Sequence, residues 1–209
     1  MSLSQPKVDF GRRKTGGKSV PEKLLIVCED SKSGLHYLED LVDHLQLSSV
    51  TVIRTSSGGK DPKNLVDYTR KELNRQGFAA ACAVFDGDVM LRGGTEKARF
   101  DAAIAKAASG IEVYVSVPCL EFWFLLHYEE TDQPFSTCDE VGRRLGQKMG
   151  RYAKSLGNVF ELLHAQGDSW LEKAMARAER IRHGNPDQAY PNPSTGMDRL
   201  IERLRGMVI

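Results

Sequence analysis

The chain lacks any bulk bias of charge. Its 209 residues carry 29 lysines and arginines against 28 aspartates and glutamates, a formal net charge of +1. Bulk electrostatics therefore give no argument for nucleic acid, and only a local patch could bind it. Long hydrophobic runs are missing too. The longest, Phe122 to Leu126, falls far short of the roughly 20 residues a membrane-spanning helix needs, so no membrane contact is expected. The first residues lack the apolar core of a signal peptide, and the expected location is cytoplasmic. No Cys-x-x-Cys pair occurs. Cys28, Cys82, Cys119 and Cys138 are far apart, and the first three sit in apolar runs where cysteine acts as a small hydrophobe. This argues against a zinc site and fits a reducing compartment. No internal repeat is visible.

Hydrophobic residues make up 41% of the chain, enough for a sizeable core. Residues 1–22 are polar and basic without hydrophobic period, which predicts a flexible arm or one that grips phosphate backbone. A rhythm then begins. Leu24-Leu25-Ile26-Val27-Cys28 reads as a strand buried on both faces, and Leu35, Leu38, Leu41, Val42 and Leu45 follow at helical spacing. Val50 to Ile53 is a β-branched strand. Asp61-Pro62 reads as a cap and first-turn proline opening a helix to about Arg75. Ala79 to Phe85 is a third strand, and Thr95 caps a helix to about Ala108. Ile111, Val113, Val115 and Val117 alternate, predicting a strand with one less-buried face.

Strands alternating with single helical crossovers predict an α/β domain over 23–118. Its sheet is expected to be doubly wound, four-stranded and parallel, in the order 2-1-3-4. Residues 119–209 read as a helical extension packed on it. There Thr137-x-x-Glu140 forms a capping box, and Ser194 or Thr195 caps a terminal helix.

In such sheets ligands bind beyond the carboxyl ends of the strands, where strand order reverses. Glu29 follows the first strand there, and Asp86-Gly87-Asp88 follows the third. Three carboxylates at close range either raise one another's pKa values or hold a cation. Hard oxygens suit Mg²⁺ or Mn²⁺, with water and substrate phosphate completing the shell. Glu121 follows the fourth strand and is a candidate to join the site. Lys32 and Lys154 are candidate phosphate ligands. Asn192 and Ser194, at a turn before a helix, form a candidate phosphate loop. Arg143, Arg144, Lys148, Arg151 and Lys154 make one basic cluster, and Arg177, Arg180, Arg182 and His183 another. Each is a solvated helix face or part of a track for phosphate backbone. His127 reads as a core histidine or a general acid–base. Gly16-Gly17-Lys18-Ser19 and Ser57-Gly58-Gly59-Lys60 lack the spacing of a phosphate-binding P-loop.

Leu25-Ile26-Val27-Cys28-Glu29 and Val84-Phe85-Asp86-Gly87-Asp88, with the spacing between them, resemble the Toprim domain of primases, topoisomerases and OLD-type nucleases. The resemblance implies Mg²⁺-dependent chemistry on nucleic acid at Glu29, Asp86 and Asp88. Asp30 stands where a glycine commonly follows the glutamate, as an added ligand or a residue that stiffens the loop. The run Ser116-x-Pro118-Cys119-Leu120-Glu121-Phe122-Trp123-x-Leu125-Leu126-His127-Tyr128, with Tyr152-x-Lys154 and Asn192-Pro193-Ser194-Thr195, looks like the RloB-like family. Those proteins are associated with restriction–modification loci, abortive infection and phage defence. The expectation is a nuclease acting on DNA or RNA. Its alternatives are a non-catalytic nucleic-acid or effector-binding module, and nucleotidyl or phosphoryl transfer on a small nucleotide. A partner defence protein or a homo-oligomer fits each of these.

Overall fold

A computed structural model describes residues 22–55, 61–150 and 152–208. The basic arm, apart from Glu22, the Ser57-to-Lys60 loop and Arg151 lie outside them. The first half alternates strand and helix: β1 Leu24–Cys28, α1 Ser33–His44, β2 Val50–Arg54, α2 Pro62–Gln76, β3 Ala80–Asp86, α3 Asp88–Leu91, α4 Gly94–Ala107 and β4 Glu112–Val117. Helices α5 Glu121–Leu126, α6 Cys138–Met149, α7 Val159–His164 and α8 Trp170–His183 follow, then strand β5 Ser194–Thr195 and helix α9 Met197–Arg205.

The sheet runs β2-β1-β3-β4-β5. Its first four strands are parallel, in the expected order. The sheet is nonetheless mixed and five-stranded, because β5 pairs antiparallel with β4, Thr195 opposite Ser116 and Ser194 opposite Val117. Ser194 is thus a strand residue and not part of a free turn. Thr195 keeps some of its expected capping role, since its Oγ1 accepts from the Met197 N–H at 3.2 Å.

Period-two alternation splits β1 between two cores. Leu24, Ile26 and Cys28 pack with α1, α5 and the later helices, whereas Leu25 and Val27 pack with Leu65, Val66 and Phe100 of α2 and α4. Strand β4 is less one-sided than its alternation predicts. Tyr114 and Ser116 are buried along with Val115 and Val117, because α9 and β5 cover their side. The Asp61 cap is present, accepting from the Lys63 N–H at 2.9 Å. Helix α4 starts at Gly94, one residue before the expected cap at Thr95, and the additional turn α3 precedes it.

Helix α5 is the buried centre of the C-terminal half; all six of its side chains are buried. Trp123 Nε1 donates to the Tyr37 hydroxyl at 2.8 Å, which ties α5 to α1. His127 is wedged between Trp123 and Trp170, with ring centres 4.7 and 5.2 Å away. Its Nδ1 lies 3.0 Å from the Trp123 carbonyl, and its Nε2 is buried with no partner. Burial drives its pKa down to about 3, against the opposing pull of the Trp123 and Phe124 main chain.

The pH dependence of stability follows. The unfolded chain takes up this proton near pH 6.5 and the native state only near 3, so stability is lost as pH falls between those values. Between pH 7 and 5 wild type is expected to lose about 2 kcal/mol more than His127→Phe, by urea denaturation at both pH values. Equal losses would mean that His127 is not buried neutral.

Candidate functional site

Parallel pairing sets the first contact of the site. The Glu29 N–H donates to the Val84 carbonyl at 2.9 Å, extending the β1–β3 ladder by one residue. Its side chain then turns to β3, where Oε2 accepts from the Asp86 N–H at 3.0 Å. Asp86 in turn uses Oδ1 to accept from the Leu120 N–H at 2.9 Å, at the start of α5. The carboxyl ends of β1 and β3 are thus stitched to α5 through two carboxylates. Each spends one oxygen on this and keeps a second.

Gly87 is needed for space and not for conformation. Its φ of −97° is open to any residue. A Cβ there would lie 2.7 Å from Val117 Cγ2 and 3.2 Å from Val115 Cγ1. Gly87→Ala is therefore expected to cost about 1–3 kcal/mol as β4 is pushed away, shown by a lower urea midpoint. An unchanged midpoint would show that the turn has slack.

A cleft of about 390 Å³ opens beside these residues. Glu29, Asp86 and Asp88 line it, with Lys32, Arg92 and Lys154 as its cations. Burial pushes Glu29 up to about 7, with the charges of Asp88 and Asp30 adding to the rise and the Asp86 N–H opposing it. Asp86 is driven well above the usual carboxylate range by burial, then by Glu121 and Glu29.

The other carboxylates have protein partners. Asp88 pairs with Arg92 at 2.5 Å, one turn along. Asp30 orders its own loop. Its Oδ1 accepts from the Lys32 N–H at 2.9 Å, and its Oδ2 from the Gly34 N–H at 2.7 Å and the Ser33 hydroxyl at 3.0 Å. Of its two anticipated roles, the geometry matches loop stiffening. Glu121 is buried behind the cleft, accepting from Tyr152 at 3.2 Å and pairing with Lys154 at 3.1 Å. The Tyr152 and Ser33 hydroxyls lie 3.2 Å apart and join the two networks. Burial pulls the Lys154 pKa down, but Glu121 and Asp86 outweigh it and hold the ammonium above its ordinary range.

Among the described residues, no group of three or more His, Cys, Asp or Glu side chains is placed to hold a metal ion. Glu29, Asp86 and Asp88 converge on one cleft without forming a ready three-carboxylate cage. Two carboxylates with spare oxygens still suit Mg²⁺, which commonly takes one or two protein carboxylates and fills its shell with water and phosphate.

The two basic clusters do not both face this cleft. Arg144 and Lys148 pair with Glu129, and Arg143 leans on the Asp139 carbonyl. Arg177 donates to the Leu126 carbonyl, Arg180 pairs with Glu130, and Arg182 with Asp198. Of the described cluster residues, Lys154 is the one that lines the cleft. Asn192 holds the Phe135 main chain at both N–H and carbonyl, so its amide is committed to a loop–loop tie. Arg92, Ser33 and Tyr152 escaped individual roles in the sequence. Only Arg92 carries a local signal, the i, i+4 spacing from Asp88.

Fold and site together define an α/β protein with an acidic cleft at the switch point of its sheet. The family model for RloB-like proteins matches residues 24–204, and the chain belongs to that family. No curated protein and no solved structure matches it. No helix among the described residues is long and apolar enough to cross a membrane.

Proposed function

We propose that the protein is a Toprim-type, Mg²⁺- or Mn²⁺-dependent nuclease that cuts nucleic-acid phosphodiesters in phage defence. The observation that carries this is the pairing of Glu29 and Asp86 at the carboxyl ends of β1 and β3, in a cleft that also presents cations. Glu29 and Asp86 would hold the divalent ion, with Asp88 available if Arg92 releases it. When bound, the ion would supply Lewis-acid stabilisation of charge on the phosphate oxygens. Lys154 and Lys32 offer ammonium groups to orient a phosphate, and Arg92 offers a guanidinium. Glu121 keeps Lys154 charged and pointed at the cleft. Glu29 must be ionised to act, either as ligand or as acceptor of a proton from water.

The test is cleavage of end-labelled single- and double-stranded DNA and RNA, with Mg²⁺, with Mn²⁺ and with EDTA. Metal-dependent cleavage lost in Asp86→Asn supports the assignment. Equal residual activity in wild type and variant sinks it. The Asp88–Arg92 pair favours a second reading, a non-catalytic module that binds nucleic acid or an effector. Calorimetric titration with Mg²⁺ separates the two, since such a module takes up no ion. The modest cleft volume also suits transfer on a small nucleotide, which parallel product analysis with nucleotides and oligonucleotides would reveal.

A further inference from the structure

A second cleft lies away from the carboxylates, where the end of α8, the loop before β5 and the first turn of α9 meet. It encloses about 520 Å³, and Arg182, His183, Gln188, Tyr190 and Arg199 are among the residues that line it. No carboxylate lines it, so its charged lining is entirely basic. Arg182 is already neutralised by Asp198 at 2.6 Å. Arg199 is different. It is exposed on α9, and among the described residues it has no ion pair or hydrogen bond. Its guanidinium lies close to the chain, since a Cβ on Gly196 would come within 3.3 Å of Nη2. His183 adds a second exposed basic group.

The aromatic component is fixed in place. Tyr190 is half-buried, and Phe100 holds its ring at 88° with centres 5.2 Å apart. Arg199 sits near enough that its charge pulls the Tyr190 phenol down against the upward push of burial. Side-chain amides complete the wall; Asn185 is anchored by its Nδ2 on the Ile181 carbonyl at 2.9 Å, which leaves its oxygen available.

The geometry points to a binding site for a phosphorylated nucleoside, either a free mononucleotide or one unit of a single strand. Arg199 and His183 would take the phosphate, Tyr190 the base face, and the Gln188 and Asn185 amides the base edge. An unpaired guanidinium beside a held aromatic ring is the pairing that nucleotide and single-strand sites use. The volume lies in the range of small-ligand pockets. An acidic peptide would use the cations and leave the ring without a role. This inference does not rest on the carboxylate cleft, so binding should survive in EDTA and in Glu29→Gln.

The experiment is binding by the full chain in EDTA, by calorimetry with AMP and by anisotropy with a labelled single-stranded pentanucleotide. AMP, the pentanucleotide or both should bind at least tenfold more tightly than adenosine or inorganic phosphate. Whichever of the two binds identifies the source. Arg199→Gln, an exposed change that leaves the core intact, should weaken binding at least tenfold, and Tyr190→Leu similarly. Lys97→Gln, at an exposed lysine of α4 that pairs with Asp101 and does not line the cleft, should bind as wild type. The site is overturned if neither ligand binds, if Arg199→Gln binds as wild type, if Lys97→Gln loses as much, or if polyglutamate displaces the nucleotide equally well.

Discussion

Replacing Glu29 with glutamine is expected to lower metal-dependent phosphodiester cleavage by at least about a hundredfold while leaving the thermal midpoint nearly unchanged. The amide oxygen can still accept from the Asp86 N–H, so the stitch between β1 and β3 survives. What disappears is the anion. In wild type the Glu29 carboxyl titrates near 7 because it is buried beside other carboxylates. Activity should therefore fall as pH drops below 7, toward tenfold per unit. Protons and divalent cations compete for the same oxygens, so raising Mg²⁺ should move this acid limb to lower pH. A limb that ignores Mg²⁺ would assign Glu29 the role of base alone. A Glu29→Gln enzyme with wild-type rates would remove it from the chemistry.

The second large effect concerns stability. Asp198 is almost wholly buried at the start of α9, and its Oδ1 has no partner. Its Oδ2 accepts from Arg182 on α8 at 2.6 Å. Arg182→Ala would strand that carboxylate in the interior, at a cost of about 3–5 kcal/mol. The double variant Arg182→Leu/Asp198→Leu should recover most of the loss, because an apolar pair removes the buried charge together with the need for its partner. Chemical denaturation of wild type, single and double variants measures this. A single variant within about 0.5 kcal/mol of wild type would show that water reaches Asp198.

Much of this architecture was legible in the residues. Apolar runs at Leu24–Cys28 and Ala79–Phe85 announce strands buried on both faces, and single crossovers imply a parallel sheet, for which 2-1-3-4 is the usual doubly wound order. That order alone places Glu29, Asp86, Asp88 and Glu121 at one end of the sheet. Strand β5 was not legible. Two residues, Ser194 and Thr195, carry no alternation, and their partner on β4 is 79 positions away. The basic runs left two readings open for a related reason. Helical spacing tells which arginines share a face, yet only tertiary packing reveals that Glu129 and Glu130 neutralise Arg144, Lys148 and Arg180. Asp30 was ambiguous because a carboxylate after a strand can face a ligand or its own loop, and main-chain geometry decides which.

Strand β5 also bears on how the protein is made. Until residue 195 leaves the ribosome, the hydrogen-bonding edge of β4 has no cover, and Ser116 and Val117 lack their pairing partners. A nascent or truncated chain that ends before β5 presents an open, apolar-flanked edge to its neighbours. Such edges recruit other strands, and chains stalled in that state are prone to aggregate. Strand β5 is thus a closing stitch, masking the end of β4 that an unfinished chain leaves open.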